Sequence, residues 1–307
     1  AGTGLGEGPK EDAMARIESM LSLPHGAKVI AAALPIRRDP PGAKEAVLLL
    51  HGFTGHPGEL ALQAEALAAA GYAVSVPRLP GHGSGRADFL ATDEKDWLRR
   101  ALDAALELRA AYGTVHLLGH SMGGLLAALV ASALQGGESG SQAAAGRGAS
   151  ASGPTASAQG GAAAPRLVLL APAFLLSKAG VAAAPFVAPF APVLRRGRPV
   201  PDSEALDPVR SYLHGEYRSD DLVREAAALR RIQLAARRRL PALRSRLLVV
   251  VGSEDASVPP RVAAYIEAKA RSALGVEVRL LPGAGHVFPF DVRGPEAAAL
   301  VSAWMRG

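Results

Sequence analysis

The chain has 307 residues, 49% of them hydrophobic and 5% aromatic, and it carries a formal net charge of +6. This length fits one α/β domain with an insertion, and so few aromatic residues mean a core built mainly from Ala, Leu and Val. The absence of cysteine excludes disulfides, thiolate catalysis and cysteine-ligated metal sites. No uninterrupted apolar run reaches the roughly 18–20 residues needed to cross a bilayer, so we expect no integral membrane segment.

Arginine supplies most of the positive charge, in clusters such as the one at 237–239. No nucleic-acid-binding motif accompanies these arginines, so we interpret them as solvated charges and expect no nucleic-acid partner. The chain begins at Ala1 rather than Met, which indicates a trimmed chain. We expect a soluble protein and favour the cytoplasm over a trimmed secreted form, although the composition leaves the compartment open.

The N-terminal half alternates predicted strands with predicted helices. Residues 1–10 are Gly-rich and predict a flexible terminus, and a short helix is predicted over 11–23. The predicted strands and helices that follow lie at 29–35, 46–50, 59–70, 72–76, 93–112 and 115–118, where 59–70 and 93–112 are the helices. Strands that are apolar along their whole length are buried on both faces, which predicts a mainly parallel sheet covered by helices.

The strand at 115–118 runs directly into Gly-His-Ser-Met-Gly, and a helix-like run of Leu and Ala follows. This is the G-x-S-x-G pattern of a nucleophile elbow, in which a strand turns at once into a helix and lifts the central serine clear of the sheet. Gly119 and Gly123 remove side chains where strand and helix would collide. The pattern predicts that Ser121 stands at a helix N-terminus, where free N–H groups can stabilise negative charge.

The composition changes after this helix. Residues 136–164 contain no Leu, Ile, Val or aromatic residue, and we predict a disordered low-complexity insertion without catalytic residues. Residues 172–241 form a second zone, in which helices are predicted over 206–213 and 222–240. The apolar segment 179–194 contains three prolines and cannot be one straight helix. We predict that this zone is a helical cap over the site; the alternative is a helical excursion on the flank of the sheet.

The rest of the chain returns to the sheet. Strands are predicted over 166–170, 246–251 and 276–281, and helices over 262–273 and 295–305. The predicted core therefore comprises residues 24–135, 165–171 and 242–307.

A serine hydroxyl is a poor nucleophile until a base takes its proton, and the base needs an acceptor that holds its tautomer. A serine nucleophile therefore predicts a carboxylate and a histidine later in the chain, each just beyond a strand. Asp255 follows the apolar run at 249–251, and His286 lies in a Gly-flanked loop after Leu281. The order Ser121, Asp255, His286 is one in which this constellation occurs.

Other acids and histidines compete for these roles. Glu254 is the main rival of Asp255, while Asp202 and Asp291 are weaker because neither ends an apolar strand. Among the remaining histidines, His116 is interpreted as core and His120 as a residue that packs or hydrogen-bonds beneath the nucleophile. We expect structural roles for His25, His51, His82 and His214.

Attack on an acyl carbon creates an oxyanion that needs two fixed donors. One candidate is the backbone N–H of Met122, which follows the nucleophile. The other is the N–H of Phe53 in the loop after the strand at 46–50, where Gly52 permits a close approach.

With these motifs in hand, the chain resembles the α/β-hydrolase superfamily, and within it the compact carboxylesterases and monoacylglycerol-lipase-like serine hydrolases. The matching stretches are LLLHGFTG (48–55), PRLPGHG (77–83), GHSMGG (119–124), the segment 250–255 and Gly285-His286. The resemblance implies an α/β-hydrolase fold, a Ser-His-Asp triad, an oxyanion hole at Phe53 and Met122, no cofactor or metal, and a cap that shapes an acyl pocket. The insertion at 136–164 and the Arg-rich cap depart from the family pattern.

We therefore predict a serine carboxylic-ester hydrolase that works through an acyl-enzyme on apolar esters with short to medium acyl chains, or on lipid esters such as monoacylglycerols. Two alternatives stay open. The first is hydrolysis of another bond, namely an amide, thioester, lactone or carbon–carbon bond. The second is a non-catalytic ligand-binding protein on the same scaffold.

Overall fold

A computed structural model describes residues 29–145, 165–177, 179–191, 193–195 and 220–307. In these ranges the strands are β1 (Ile36–Arg38), β2 (Glu45–Leu50), β3 (Ala73–Val76), β4 (Thr114–His120), β5 (Arg166–Leu170), β6 (Val193–Arg195), β7 (Asp220–Leu222), β8 (Arg246–Gly252) and β9 (Gly275–Leu281). The α-helices are α1 (Ala61–Ala69), α2 (Arg86–Leu90), α3 (Glu94–Tyr112), α4 (Met122–Ala145), α5 (Ala179–Val187), α6 (Val223–Arg239), α7 (Val262–Lys269) and α8 (Gly294–Arg306).

Seven strands form one sheet in the order β1-β3-β2-β4-β5-β8-β9. Only β1 is antiparallel to its neighbour, and the other pairs are parallel. The predicted fold class, a mainly parallel sheet flanked by helices, is confirmed. The strands β2, β3, β4, β5, β8 and β9 of this sheet share one direction. The loops after β2, β4, β8 and β9 therefore emerge at the same edge of the sheet.

The sheet is buried on both faces because its central strands carry apolar residues at successive positions. In β2, Leu48 and Leu50 pack with α3, α4, α6 and α7 on one face. Val47 and Leu49 point to the other face and pack with α1 and α8. Each such side chain contributes about 1.5–3 kcal/mol when it is fully buried.

Helix α3 is bounded as its sequence predicts. The side chain of Asp93 accepts a hydrogen bond from the Lys95 N–H at 2.8 Å, and the side chain of Asp96 accepts one from the Asp93 N–H at 3.0 Å. This reciprocal capping box satisfies two N–H groups that the first turn of a helix leaves without partners. The helix ends at Gly113, whose φ of 71° lies in the left-handed region.

Two predicted elements at the sheet margins differ from the structure. The strand predicted over 29–35 is a 3₁₀ turn at Ala31–Ala33, and the extended segment follows it as β1. Three consecutive alanines suit a helical turn, and a short apolar run does not by itself distinguish strand from helix. The helix predicted over 262–273 ends at Lys269, because the backbone N–H groups of Ser272 and Leu274 bond to Pro241 and Ser245 instead.

The segment predicted to be a disordered insertion is helical over its first ten residues. Helix α4 continues to Ala145, past the predicted boundary at 136. Extending a formed helix adds a hydrogen bond for each residue ordered, so a Gly-, Ser- and Ala-rich tail can continue a strong apolar helix. Residues 146–164 lie outside the described residues, as do 1–28 and the helix predicted over 206–213.

The predicted cap zone contains α5, the small antiparallel sheet β6-β7, and α6. Helix α6 matches the helix predicted over 222–240. The segment 179–194 is broken, as its prolines predict: α5 ends at Val187, and a turn separates it from β6. The division of the chain into core, insertion and cap stays a prediction.

We expect the change Asp93→Ala to lower the free energy of unfolding by about 1 kcal/mol, because it removes the capping acceptor at the start of α3. Urea unfolding measures this loss. Asp103→Ala removes an exposed carboxylate from the middle of the same helix and serves as the matched control. Equal losses in the two variants would contradict a capping role.

Candidate active site

Ser121 is the one residue between the last residue of β4 and the first residue of α4. Its φ of 54° lies in the left-handed region, which residues other than glycine rarely occupy. The turn is held by three backbone hydrogen bonds: the Ser121 N–H donates to the Leu170 carbonyl at 2.9 Å, and the Ser121 carbonyl accepts from Gly124 and Ala173 at 3.1 Å each. Strain of this kind persists only where the surroundings hold it, and it is found most often at functional sites.

The two glycines of the motif make the turn sterically possible. A Cβ atom at position 119 would lie 2.2 Å from the Gly123 carbonyl oxygen, and one at position 123 would lie 1.9 Å from the Leu50 carbonyl oxygen. Both distances are far below van der Waals contact. Helix α4 therefore packs against β2 and β4 only because both positions lack a side chain.

The structure brings Ser121, His286 and Asp255 together at the edge of the sheet. The Ser121 Oγ lies 3.0 Å from His286 Nε2, and His286 Nδ1 lies 2.8 Å from Asp255 Oδ2. The Asp255 side chain is 1% exposed and that of His286 is 21% exposed. The carboxylate is thus shielded from water, while the imidazole reaches the surface from which a substrate would arrive.

Asp255 is fixed by hydrogen bonds from its own loop. Its Oδ1 accepts the N–H groups of Ser257 and Val258, both at 2.8 Å, which leaves Oδ2 to accept from His286. These two bonds fix the orientation of the carboxylate toward His286. The side chain of the rival Glu254 is exposed, and the Glu254 backbone N–H donates to the Ala284 carbonyl at 3.0 Å.

The loop that carries Phe53 passes directly beside the nucleophile. A Cβ atom at position 52 would lie 3.5 Å from the Ser121 Cβ. The ring of Phe53 packs edge-on against Phe89 and Trp97, with centroid distances of 5.5 and 6.1 Å. These aromatic contacts anchor the loop beside Ser121, which is the placement that an oxyanion donor at Phe53 would require.

Met122 supplies the second candidate donor. It is the first residue of α4, and the first N–H groups of a helix have no partner within that helix. The helix dipole adds positive potential at the same point. One candidate oxyanion donor therefore lies in the loop after β2, and the other lies at the start of α4, directly after the neighbouring strand β4.

A sequence model described as "Alpha/beta hydrolase family" matches residues 47–303, which is most of the chain. The chain belongs to the alpha/beta hydrolase family. The chain is 44% identical over 80 residues to a thermostable monoacylglycerol lipase of Bacillus sp. (strain H-257), a match that covers 26% of this chain and 32% of the lipase. It is 33% identical over 85 residues to a carboxylesterase of Bacillus subtilis (strain 168), covering 27% of this chain and 35% of the esterase. The matches thus span about a third of the length of these curated relatives.

Solved structures share the fold of this chain over nearly its whole length. A structure from work on LipS and LipT, two metagenome-derived lipolytic enzymes, superposes with a TM-score of 0.71 at 24% identity, covering 91% of this chain and 99% of the other. The monoacylglycerol lipase of Paleococcus ferrophilus superposes with a TM-score of 0.61 at 18% identity, covering 88% and 97% of the two chains. At these identities the likeness concerns the fold.

The other histidines that the structure describes are buried. His116 accepts the Arg166 N–H at its Nδ1 and lies 3.2 Å from Glu45 through its Nε2, as expected of a core residue. His51 accepts the Leu79 N–H at its Nε2 and faces the Gly52 carbonyl through its Nδ1, so it ties the oxyanion loop to the loop after β3. His82 packs against Phe89 with its ring centroid 4.7 Å away. His25, His214 and Asp202 lie outside the described residues.

Two residues of helix α6 reach the segment next to Ser121. The Gln233 Nε2 donates to the Ala173 carbonyl at 2.6 Å, and the Ala173 N–H in turn donates to the Ser121 carbonyl. The Arg237 Nε donates to the Phe174 carbonyl at 2.7 Å. Sequence reasoning missed both residues, although Gln233 lies on the apolar face of α6, and that placement is a signal that could have indicated a buried hydrogen bond.

Metal-holding clusters and membrane-spanning helices are both absent from the part of the chain that the structure describes. There, no group of three or more His, Asp or Glu side chains is placed to hold a metal ion. Within the same ranges, no helix combines the length and apolar character needed to cross a membrane.

We expect acid to destabilise the protein between about pH 6.5 and pH 3. Burial lowers the pKa of His82 to about 4 and that of His120 to about 3, whereas both groups titrate near 6.5 when unfolded. Below pH 6.5 the unfolded chain binds protons that the folded chain does not accept. Stability is therefore complete above pH 6.5 and falls as the pH drops, by about 2 kcal/mol for each fully buried histidine at pH 5.

Urea midpoints between pH 7.5 and pH 5 measure this loss. The variant His82→Gln removes one of the titrating groups and should show a shallower dependence on pH than the wild type. Parallel curves for the two proteins would contradict the assignment to His82.

Proposed function

We propose that this alpha/beta hydrolase is a serine carboxylic-ester hydrolase that works through an acyl-enzyme. The observation that carries the proposal is the continuous hydrogen-bonded line from Ser121 Oγ through the imidazole of His286 to Asp255, with distances of 3.0 and 2.8 Å. A histidine held in this way can take the proton of a serine hydroxyl, and the carboxylate behind it stabilises the imidazolium that forms.

In the first half of the reaction, Ser121 Oγ attacks the acyl carbon of the ester while His286 Nε2 takes the hydroxyl proton. The carbonyl oxygen becomes an oxyanion, which the N–H groups of Phe53 and Met122 stabilise. When the tetrahedral intermediate collapses, the bond from the acyl carbon to the alkoxy oxygen breaks. His286 returns the proton to that oxygen, and the alcohol leaves.

In the second half, a water molecule takes the place of the alcohol. His286 Nε2 accepts a proton from the water as its oxygen attacks the acyl carbon. Collapse breaks the bond to Ser121 Oγ, which regains its proton from His286, and the carboxylic acid is released. The same three side chains serve both halves, so the step needs no further reactant than water.

The substrate class rests on two lines of support. The relatives with 44% and 33% identity are named a monoacylglycerol lipase and a carboxylesterase. Helix α5 in the predicted cap is apolar, and it is followed by a turn; Phe186 and Phe190 in this stretch are 79% and 88% exposed. Both observations favour esters with an apolar acyl group of short to medium length, including lipid esters such as monoacylglycerols.

The change Ser121→Ala should abolish turnover of p-nitrophenyl esters, with a loss of at least about 10⁴-fold in kcat, because the attacking oxygen is removed. Ser272→Ala changes an exposed serine far from the site and should leave turnover unchanged. A series of acyl lengths, together with an amide, a thioester and a lactone, identifies the bond and the acyl length that the enzyme prefers. Retained turnover in Ser121→Ala would remove this residue from the mechanism, and a folded wild type that cleaves none of these substrates would favour a non-catalytic ligand-binding protein.

Replacing the acid gives a separate test. Asp255→Asn should lower kcat by about 10⁴-fold, because an amide can donate to His286 Nδ1 and hold the ring in the wrong tautomer. Glu254→Gln makes the same chemical change at the exposed neighbour and should have little effect. The reverse order of effects would assign the acid role to Glu254.

A further inference from the structure

His120 lies immediately before the nucleophile, and the proposed chemistry does not use it. Its side chain is buried, at 3% exposure. Its Nε2 lies 3.0 Å from the backbone carbonyl oxygen of His286. A carbonyl oxygen only accepts hydrogen bonds, so His120 Nε2 must carry the proton and donate it. This bond joins the residue before the nucleophile to the backbone of the base itself.

The other nitrogen of the same ring faces the oxyanion loop. A Cβ atom at position 52 would lie 3.3 Å from His120 Nδ1, so the backbone of Gly52 passes close to the ring. The ring centroids of His120 and His286 are 5.1 Å apart, and the ring of Phe290 packs edge-on against His120 with a centroid distance of 5.9 Å. One imidazole therefore separates the loop after β2 from the loop after β9, on either side of Ser121.

Packing alone does not account for a histidine at this position. Within the described residues, His120 Nδ1 is buried without a hydrogen-bond partner, and an apolar side chain would avoid this loss. The base loop also needs support, because Gly283 and Gly285 make its backbone adaptable. Its other ties reach Ala284, which accepts from the Glu254 N–H, and Gly283, which donates to Ser253 Oγ at 2.8 Å. The bond from His120 reaches the backbone of His286 itself.

We propose that His120 is a positioning residue, which holds the His286 imidazole at hydrogen-bonding distance from Ser121 by donating to the His286 carbonyl and by filling the gap to Gly52. The proposal rests on the proposed function, since it assigns a role to His120 only if His286 is the base. Burial lowers the pKa of His120 to about 3, so the ring is neutral at pH 7. A neutral ring adds no positive charge beside His286, which must itself become positively charged during the reaction.

The test compares three variants with the wild type on one ester and on a fluorophosphonate, which labels an activated serine. His120→Phe keeps an aromatic ring but removes the donor. His120→Gln restores an N–H donor at a similar reach. His116→Phe is the matched control, because His116 is also buried and hydrogen-bonded in β4 but lies away from Ser121.

We expect His120→Phe to lose about 10- to 100-fold in kcat with KM within about twofold, since a small displacement of the base costs this much. Fluorophosphonate labelling should slow in parallel. His120→Gln should recover most of both rates, and His116→Phe should lose stability without losing kcat. If His120→Phe does not fold, His120→Met replaces it, because methionine fills irregular space without offering a donor.

Three results would overturn the proposal. The first is a folded donor-free variant with kcat near that of the wild type. The second is His120→Gln being no more active than His120→Phe, and the third is an equal loss of kcat in His116→Phe. These outcomes differ from failure of the proposed function, in which the wild type neither cleaves the ester nor reacts with the fluorophosphonate; that result would overturn both proposals.

Discussion

The left-handed backbone of Ser121 is the constraint on which the other features of the site depend. A strand that turns into a helix within one residue needs a positive φ at that residue, and here the value is 54°. The energy of this conformation is offset by the hydrogen bond that Ser121 donates to Leu170, by those that it accepts from Ala173 and Gly124, and by the close packing of α4 on β2. Given this turn, the side chain of Ser121 points away from the sheet, and the first N–H groups of α4 point toward the same space.

Three loops converge on this turn, and each is held by contacts that leave the reacting atoms accessible. The acid loop uses the N–H groups of Ser257 and Val258 to orient Asp255. The oxyanion loop is fixed by His51 and by the aromatic contacts of Phe53. Rigid support of this kind matters because a preorganised site loses little energy to rearrangement while charge develops.

Helix α6 extends the hydrogen bonds around Ser121 to a region that sequence motifs do not mark. Gln233 and Arg237 bond to consecutive carbonyls at Ala173 and Phe174, and Ala173 bonds to Ser121. Arg230 donates to the side-chain oxygen of Gln233, which orients its amide. A displacement of α6 would therefore reach the nucleophile through two hydrogen bonds. This contact explains part of the arginine content that the sequence suggested was only solvated charge, since Arg237 is partly buried and its pKa is lowered by burial.

Local pattern was sufficient to predict the elements whose residues decide their own conformation. The apolar strands, the capped helix α3, the glycines of the elbow and the chain order of Ser121, Asp255 and His286 could all be read in advance, because each follows from side-chain chemistry within a few residues. The margins could not: the Ile30 N–H before the turn at 31–33 donates to the Gly83 carbonyl, and the end of α7 depends on bonds to Pro241 and Ser245, so both involve backbone partners far along the chain.

The amino-acid sequence by itself determined the class of fold and which side chains could carry chemistry, since hydrophobic periodicity and turn residues act locally. Only the tertiary structure decided that Asp255 rather than Glu254 faces His286, that His120 bonds to the His286 backbone, and that Gln233 supports the segment beside Ser121. Each of these outcomes is a distance between residues that are far apart in the chain. Such distances are set by how the loops pack at the edge of the sheet, and no local pattern encodes them.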